Sequence, residues 1–154
     1  MPVADNNFYT DLLAEGRALL AGETDPVANA ANLSALLYLR LPGINWAGFY
    51  FMRDGELLVG PFQGKPACVR IPVGKGVCGT AMATRQTQRV ADVHAIDNHI
   101  ACDAASRSEI VVPLVRGAVD FGVLDIDSPL PGRFTATDQQ GIEQIAALYL
   151  ESLD

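Results

Sequence analysis

The chain has 154 residues, enough for one domain around a single core and too few for two of ordinary size. Apolar residues make up 49% and charged residues 19%, the balance of a globular protein and not of a disordered or fibrous one. A net charge of -7 argues against a nucleic-acid or anionic-membrane surface, and no run of about 20 apolar residues supports a membrane span. The first residues lack a basic stretch followed by an apolar one, so no secretory signal is expected. Three cysteines without tight spacing suit a reducing, cytoplasmic compartment better than a secreted disulfide framework.

Two helices are expected first, over residues 6–20, with apolar Phe8, Leu12, Leu19 and Leu20, and over residues 25–41, where Asp25 caps and Pro26 takes the first turn. Pro42-Gly43 ends the second. A strand over residues 45–52 then leads through the Asp54-Gly55 turn into Leu57-Leu58-Val59, an antiparallel hairpin. Five glycines and three prolines between Gly60 and Gly79 predict a long loop around a short strand at residues 68–71. A short helix is expected at about residues 77–84 and an apolar stretch at 89–93, followed by the segment that holds both histidines, His94 and His99, and Cys102. Residues 109–115 and 119–126 read as strands joined at Arg116-Gly117-Ala118. The last helix is expected to be capped by Thr137, with Asp138 in its first turn and an apolar stripe of Ile142, Ile145, Ala146, Tyr149 and Leu150. Helices at both ends with consecutive hairpins between them predict an α+β domain, an antiparallel β-sheet flanked by N- and C-terminal helices.

Gly74-Lys75-Gly76-Val77-Cys78-Gly79 matches the dinucleotide fingerprint G-x-G-x-x-G, but the preceding Ile71-Pro72-Val73 is too short and proline-broken to open a βαβ unit. The match reads as a turn into a helix. The cysteines and histidines contain no C-x-x-C and no close histidine pair, so no metal site is expected. Cys102 is set among His99, Asp103, Ser106 and Ser108, polar company that a core thiol would avoid, and is the candidate nucleophile. Cys78, beside Val77 and Ala81, reads equally as a buried thiol or a redox partner.

Alternation along Val123-Leu124-Asp125-Ile126-Asp127 puts Asp125 and Asp127 on one strand face. If Val115 pairs with Phe121, Glu109 falls opposite Asp127 and three carboxyl groups converge. A slip of one residue would scatter them. Like-charge crowding would keep one carboxyl protonated near neutral pH and able to donate, and the others could bind an ammonium. Trp46, Gly48 and Tyr50 share a face of the first strand, an aromatic wall suited to a thioether.

Several stretches together resemble the free methionine-(R)-sulfoxide reductases, a family built on a GAF domain: Gly60-Pro61-Phe62-Gln63-Gly64, the glycine-rich Gly74 to Gly79, Asp92-Val93-His94, His99-Ile100-Ala101-Cys102-Asp103, Ser108-Glu109-Ile110-Val111-Val112-Pro113 and Gly122-Val123-Leu124-Asp125-Ile126-Asp127. The resemblance runs over essentially the whole chain, residues 1–154 as one GAF domain. It implies reduction of the R epimer of the free amino acid, with thioredoxin as the reductant and no cofactor. It further implies Cys102 as nucleophile, Cys68 as the main resolving cysteine, Cys78 as a second or substitute partner, and Glu109, Asp125, Asp127 and Trp46 at the substrate. Tyr50 joins them from the aromatic wall. The resemblance is compatible with a homodimer. A GAF domain that senses a small ligand or a redox change without turnover is the alternative.

Overall fold

Capping side chains fix the start of the first two helices. Asp5 accepts the Phe8 amide to open α1 (Asn6–Leu20), and Asp25 accepts the Val27 and Ala28 amides to open α2 (Pro26–Arg40). The structure is a computed structural model and describes residues 4–95 and 105–153. After α2 come β1 (Trp46–Arg53), β2 (Glu56–Gly64), β3 (Arg70–Pro72), α3 (Gly76–Thr84) and β4 (Gln88–Val90), then a single 3-10 turn (Val93–Ala95). The chain closes with β5 (Ser108–Arg116), β6 (Val119–Ser128) and α4 (Ala136–Ser152). Among the described residues the strands form one antiparallel sheet of six, in the order β3-β2-β1-β6-β5-β4.

The alternation of side chains divides this sheet into two environments. On one face Phe49, Ile110, Val112, Leu124 and Ile126 join Leu12, Leu33, Leu37, Ile142 and Tyr149 of α1, α2 and α4 in the larger core. Each such side chain contributes about 1.5–3 kcal/mol by leaving water. On the other face Trp46, Tyr50, Val111 and Val123 meet Cys78, Ala81 and Met82 of α3, a smaller core that leaves room for polar residues. No helix among the described residues is long and apolar enough to cross a membrane.

Three expectations are corrected. The glycine-rich stretch is not one long loop: β2 continues to Gly64, the loop before β3 spans only residues 65–69, and α3 begins at Gly76. A register shift between Gly48 and Tyr50 absorbs the irregular Gly60-Pro61 sequence, and Gly48 permits it, because a Cβ there would lie 2.2 Å from the Cβ of Phe62. The β5-β6 hairpin pairs Glu109 with Asp127 as expected, but Val115 faces Asp120, not Phe121; a bulge beyond Leu114 and Gly122 leaves Phe121 as the extra residue. The cap of α4 is Thr135, not Thr137. From there its hydroxyl accepts the Asp138 amide while Asp138 accepts the Thr135 amide, a reciprocal box that Thr137 is too close to form. Asp138 also takes the Tyr9 hydroxyl at 2.7 Å and pairs with buried Arg133 at 3.0 Å, tying α4 to α1.

Candidate active site

Three neighbouring strands bring the acids together. Asp127 of β6 lies between Trp46 of β1 and Glu109 of β5, and one pleat further along Asp125 lies between Gly48 and Val111. Because these residues are two apart on their strands, all project from the face that α3 covers. The cleft beside them is lined by Trp46, Tyr50, Cys78, Glu109, Asp125 and Asp127.

Asp125 is only 4% exposed, and among the described residues its Oδ1 has no hydrogen-bond partner. A buried acceptor without a donor is costly unless it is protonated or a ligand supplies the donor. Glu109 and Asp127 are half-buried beside it. Burial, then the neighbouring Asp125, pushes the Glu109 carboxyl well above the usual carboxylate range; burial, then Asp127, does the same to Asp125. The cluster therefore retains a proton to higher pH than a free carboxyl does, and loses it more readily when a cation enters.

Cys78 sits on α3, buried and free, with its Sγ 3.9 Å from Glu109 Oε2. Burial, followed by the charges of Asp125, Glu109 and Asp127, pushes its thiol up, so it stands as an S–H donor to Glu109. Donor atoms of Cys78, Glu109 and Asp125 lie within 4.8 Å of one another, a convergence the sequence spacing gives no sign of. The thiol donates to Glu109, which makes the three groups a proton-sharing cluster.

Trp46 is stacked between Tyr50, at 5.9 Å between ring centroids, and Phe62, at 5.0 Å. The polar tips of the wall hold the neighbouring loop: Trp46 Nε1 donates to the Lys65 carbonyl at 3.1 Å and the Tyr50 hydroxyl to the Cys68 carbonyl at 3.1 Å. Cys68 is half-buried and disulfide-bonded. Cys102, His99 and Asp103 lie outside the described residues. His94 is exposed on the 3-10 turn, its amide bonded to Asp92 at 3.1 Å.

Two contributors escape a reading of the sequence. Phe62 falls in a stretch that reads as loop, and only the continuation of β2 brings it against Trp46. The N-terminus of α3 faces the cleft through Gly76 and Val77, and among the described residues no side chain caps it, so its first amides are available to an anion. The glycine-rich Gly74 to Gly79, a turn into a helix, is the sequence signal for this.

A single α+β domain whose antiparallel sheet carries helices on both faces, with a cleft under the short one, is the architecture of a GAF domain. The GAF domain model matches residues 33–154, and the chain belongs to the GAF domain family. Within that family it is similar to free methionine-R-sulfoxide reductases. The Escherichia coli (strain K12) enzyme of that name is 63% identical over 140 residues, which cover 91% of this chain and 85% of that protein. The reduced form of fRMsr of Staphylococcus aureus is 50% identical with a TM-score of 0.92, covering 95% of each chain. The free methionine-R-sulfoxide reductase of Neisseria meningitidis, solved in complex with its substrate, is 42% identical with a TM-score of 0.92, covering 99% of this chain and 92% of that one.

Proposed function

We propose that this chain reduces free L-methionine-(R)-S-oxide to L-methionine in a reducing, cytoplasmic setting, with thioredoxin as the source of electrons. The observation that carries the reading is the convergence of Glu109, Asp125 and Asp127 beneath the Trp46 and Tyr50 wall, with disulfide-bonded Cys68 in the loop that wall holds.

The ends of a free amino acid find complementary groups here. Its ammonium supplies the donors that buried Asp125 lacks and the counter-charge for Asp127. Its carboxylate meets the uncapped amides of α3 beside Gly76 and Val77. A peptide-bound methionine brings neither charge, so it forfeits both interactions. The methyl and methylene groups on sulfur lie against the aromatic wall.

Arrival of the ammonium lowers the proton affinity of the acid cluster, and Glu109 passes its proton to the sulfoxide oxygen. The Cys102 thiolate attacks sulfur, the S–O bond breaks, methionine leaves and Cys102 becomes a sulfenic acid. The Cys68 thiol displaces the hydroxyl as water and closes a disulfide. Thioredoxin dithiol exchanges with that disulfide, so the sum is one sulfoxide and one dithiol converted to methionine, one thioredoxin disulfide and water. Cys78, held protonated beside Glu109, stands in reserve as a resolving thiol.

NADPH oxidation in the presence of thioredoxin, thioredoxin reductase and free methionine-R-sulfoxide tests the reading. The wild type consumes NADPH; Cys102→Ser releases no methionine at all, and Cys68→Ser releases about one per active site before turnover slows. A wild type that leaves NADPH untouched would refute the proposal.

A further inference from the structure

The charges of this chain are segregated along it. Between Leu57 and Ala91 there are five cations, Lys65, Arg70, Lys75, Arg85 and Arg89, and no Asp or Glu, whereas the rest of the chain sets six cations against 18 acids. Both lysines of the protein fall in this stretch, on either side of Cys68. Three of the five, Lys65, Arg70 and Lys75, lie within seven residues of Cys68, whereas Arg85 pairs with Asp120 at 2.9 Å and Arg89 donates to Gln139 and the Phe134 carbonyl away from that loop. Arg70 leans on Glu56 at 3.1 Å but keeps its side chain 54% exposed.

Exposed apolar side chains flank the same cysteine along the chain. Val69 is 58% exposed and Val73 39%, and Pro66 is exposed between Lys65 and the disulfide-bonded residue. The loop feeds β3, an edge strand paired only with β2, so no further strand among the described residues covers this side. It is also held in place, since Trp46 and Tyr50 donate to the carbonyls of Lys65 and Cys68. Lys65 and Arg70 stand three and two residues from Cys68, within roughly 11 Å along an extended chain. That is close to the Debye length of about 10 Å at 0.1 M salt.

A fixed disulfide sulfur set in a small apolar surface with a cationic rim, on a chain that is otherwise strongly acidic, is complementary to an acidic protein and not to a small thiol. The geometry points to the face formed by Lys65, Pro66, Val69, Arg70 and Val73 as the docking surface for an acidic protein dithiol, whose thiolate attacks the Sγ of Cys68. This rests on the reductase reading and assigns where its reductant binds. In the exchange the attacking thiolate forms a mixed disulfide with Cys68 and releases the former partner of Cys68 as a thiolate. The second thiol of the reductant then displaces Cys68, so the incoming dithiol leaves as its own disulfide, having given up two electrons. Cationic steering raises the rate of encounter with an acidic partner, by about tenfold or more at low salt.

The test compares two reductants on the same protein, an acidic thioredoxin and uncharged dithiothreitol, with free methionine-R-sulfoxide at saturation. For the wild type, kcat/KM for thioredoxin falls as salt is raised, while the dithiothreitol rate does not change. Lys65→Glu/Arg70→Glu lowers kcat/KM for thioredoxin at least about tenfold at low ionic strength and leaves the dithiothreitol rate intact. A thioredoxin variant with Ser at its second active-site cysteine is trapped on Cys68, as read by peptide mass spectrometry. Equal salt dependence for the two reductants, an unaffected double variant, or trapping on another cysteine would overturn the docking face while the reductase reading stands. Absence of turnover with dithiothreitol in the wild type would instead overturn the reading beneath it. The salt series needs only the wild type, so it decides the matter even where the double variant fails to fold.

Discussion

At Glu109, burial and the proximity of Asp125 act in the same direction, and both favour the neutral acid. A neutral carboxyl is the form that can protonate a sulfoxide oxygen, so Glu109→Gln, which keeps the shape and loses the transferable proton, is expected to lower kcat by about 10²-fold or more. The same assignment fixes the sign of the pH dependence. The rate falls as pH rises through the elevated pKa of the cluster, and that alkaline limb is absent from the Glu109→Gln profile; a variant with wild-type rate and profile would remove Glu109 from the proton transfer. The acids could be read from the sequence because strand alternation places Asp125 and Asp127 together, whatever the details of the hairpin. Cys78 resisted such a reading. Its neighbours suit a core thiol and its spacing suits a redox partner, and the structure shows that burial and contact with Glu109 hold at the same sulfur.

Among the elements, β6 carries the site and depends on one glycine to do so. A Cβ on Gly122 would stand 1.9 Å from the Tyr50 carbonyl oxygen and 2.9 Å from the Phe51 Cα, on a backbone with φ of +149°. Gly122→Ala is therefore expected to push β1 from β6 and cost at least about 2 kcal/mol. Gly117→Ala, at a turn with open space, should cost about 1 kcal/mol. Equal shifts of the two denaturation midpoints would contradict this account of the β1-β6 junction. Helices and the central hairpin were legible because each carries its own signal, such as the Asp25-Pro26 start of α2 or the valine-rich alternation of β5 and β6. The length of β2 was not. Gly60 and Pro61 are breakers in isolation, and only pairing with β1, shifted by a residue beside Gly48, keeps them in the sheet. Thr135 and Thr137 differ only in which can share a box with Asp138.

For the molecule as a whole, burying acids in their neutral form links stability to pH. Glu109 and Asp125 have folded pKa values above their unfolded ones, so their contribution is full below the ordinary carboxylate range and is lost as pH rises through the elevated values. Each proton that the folded state alone retains makes stability fall by about 1.4 kcal/mol per pH unit. Tm is thus expected to be lower at pH 8 than at pH 6, with a flatter profile in Asp125→Asn; a flat wild-type profile would count against a buried neutral acid. The fold class was legible, as helices at both ends around consecutive hairpins. The strand order was not, because the adjacency of β1 and β6, on which the whole cleft depends, joins segments about 80 residues apart and leaves no local trace. The reductase proposal requires that this cleft select and reduce one epimer of a free amino acid. Incubation with racemic free methionine sulfoxide and excess dithiothreitol, followed by chiral chromatography, tests it most directly. The R epimer is expected to be converted to methionine and the S epimer to be left intact; conversion of neither epimer, or of both at similar rates, would refute the proposal.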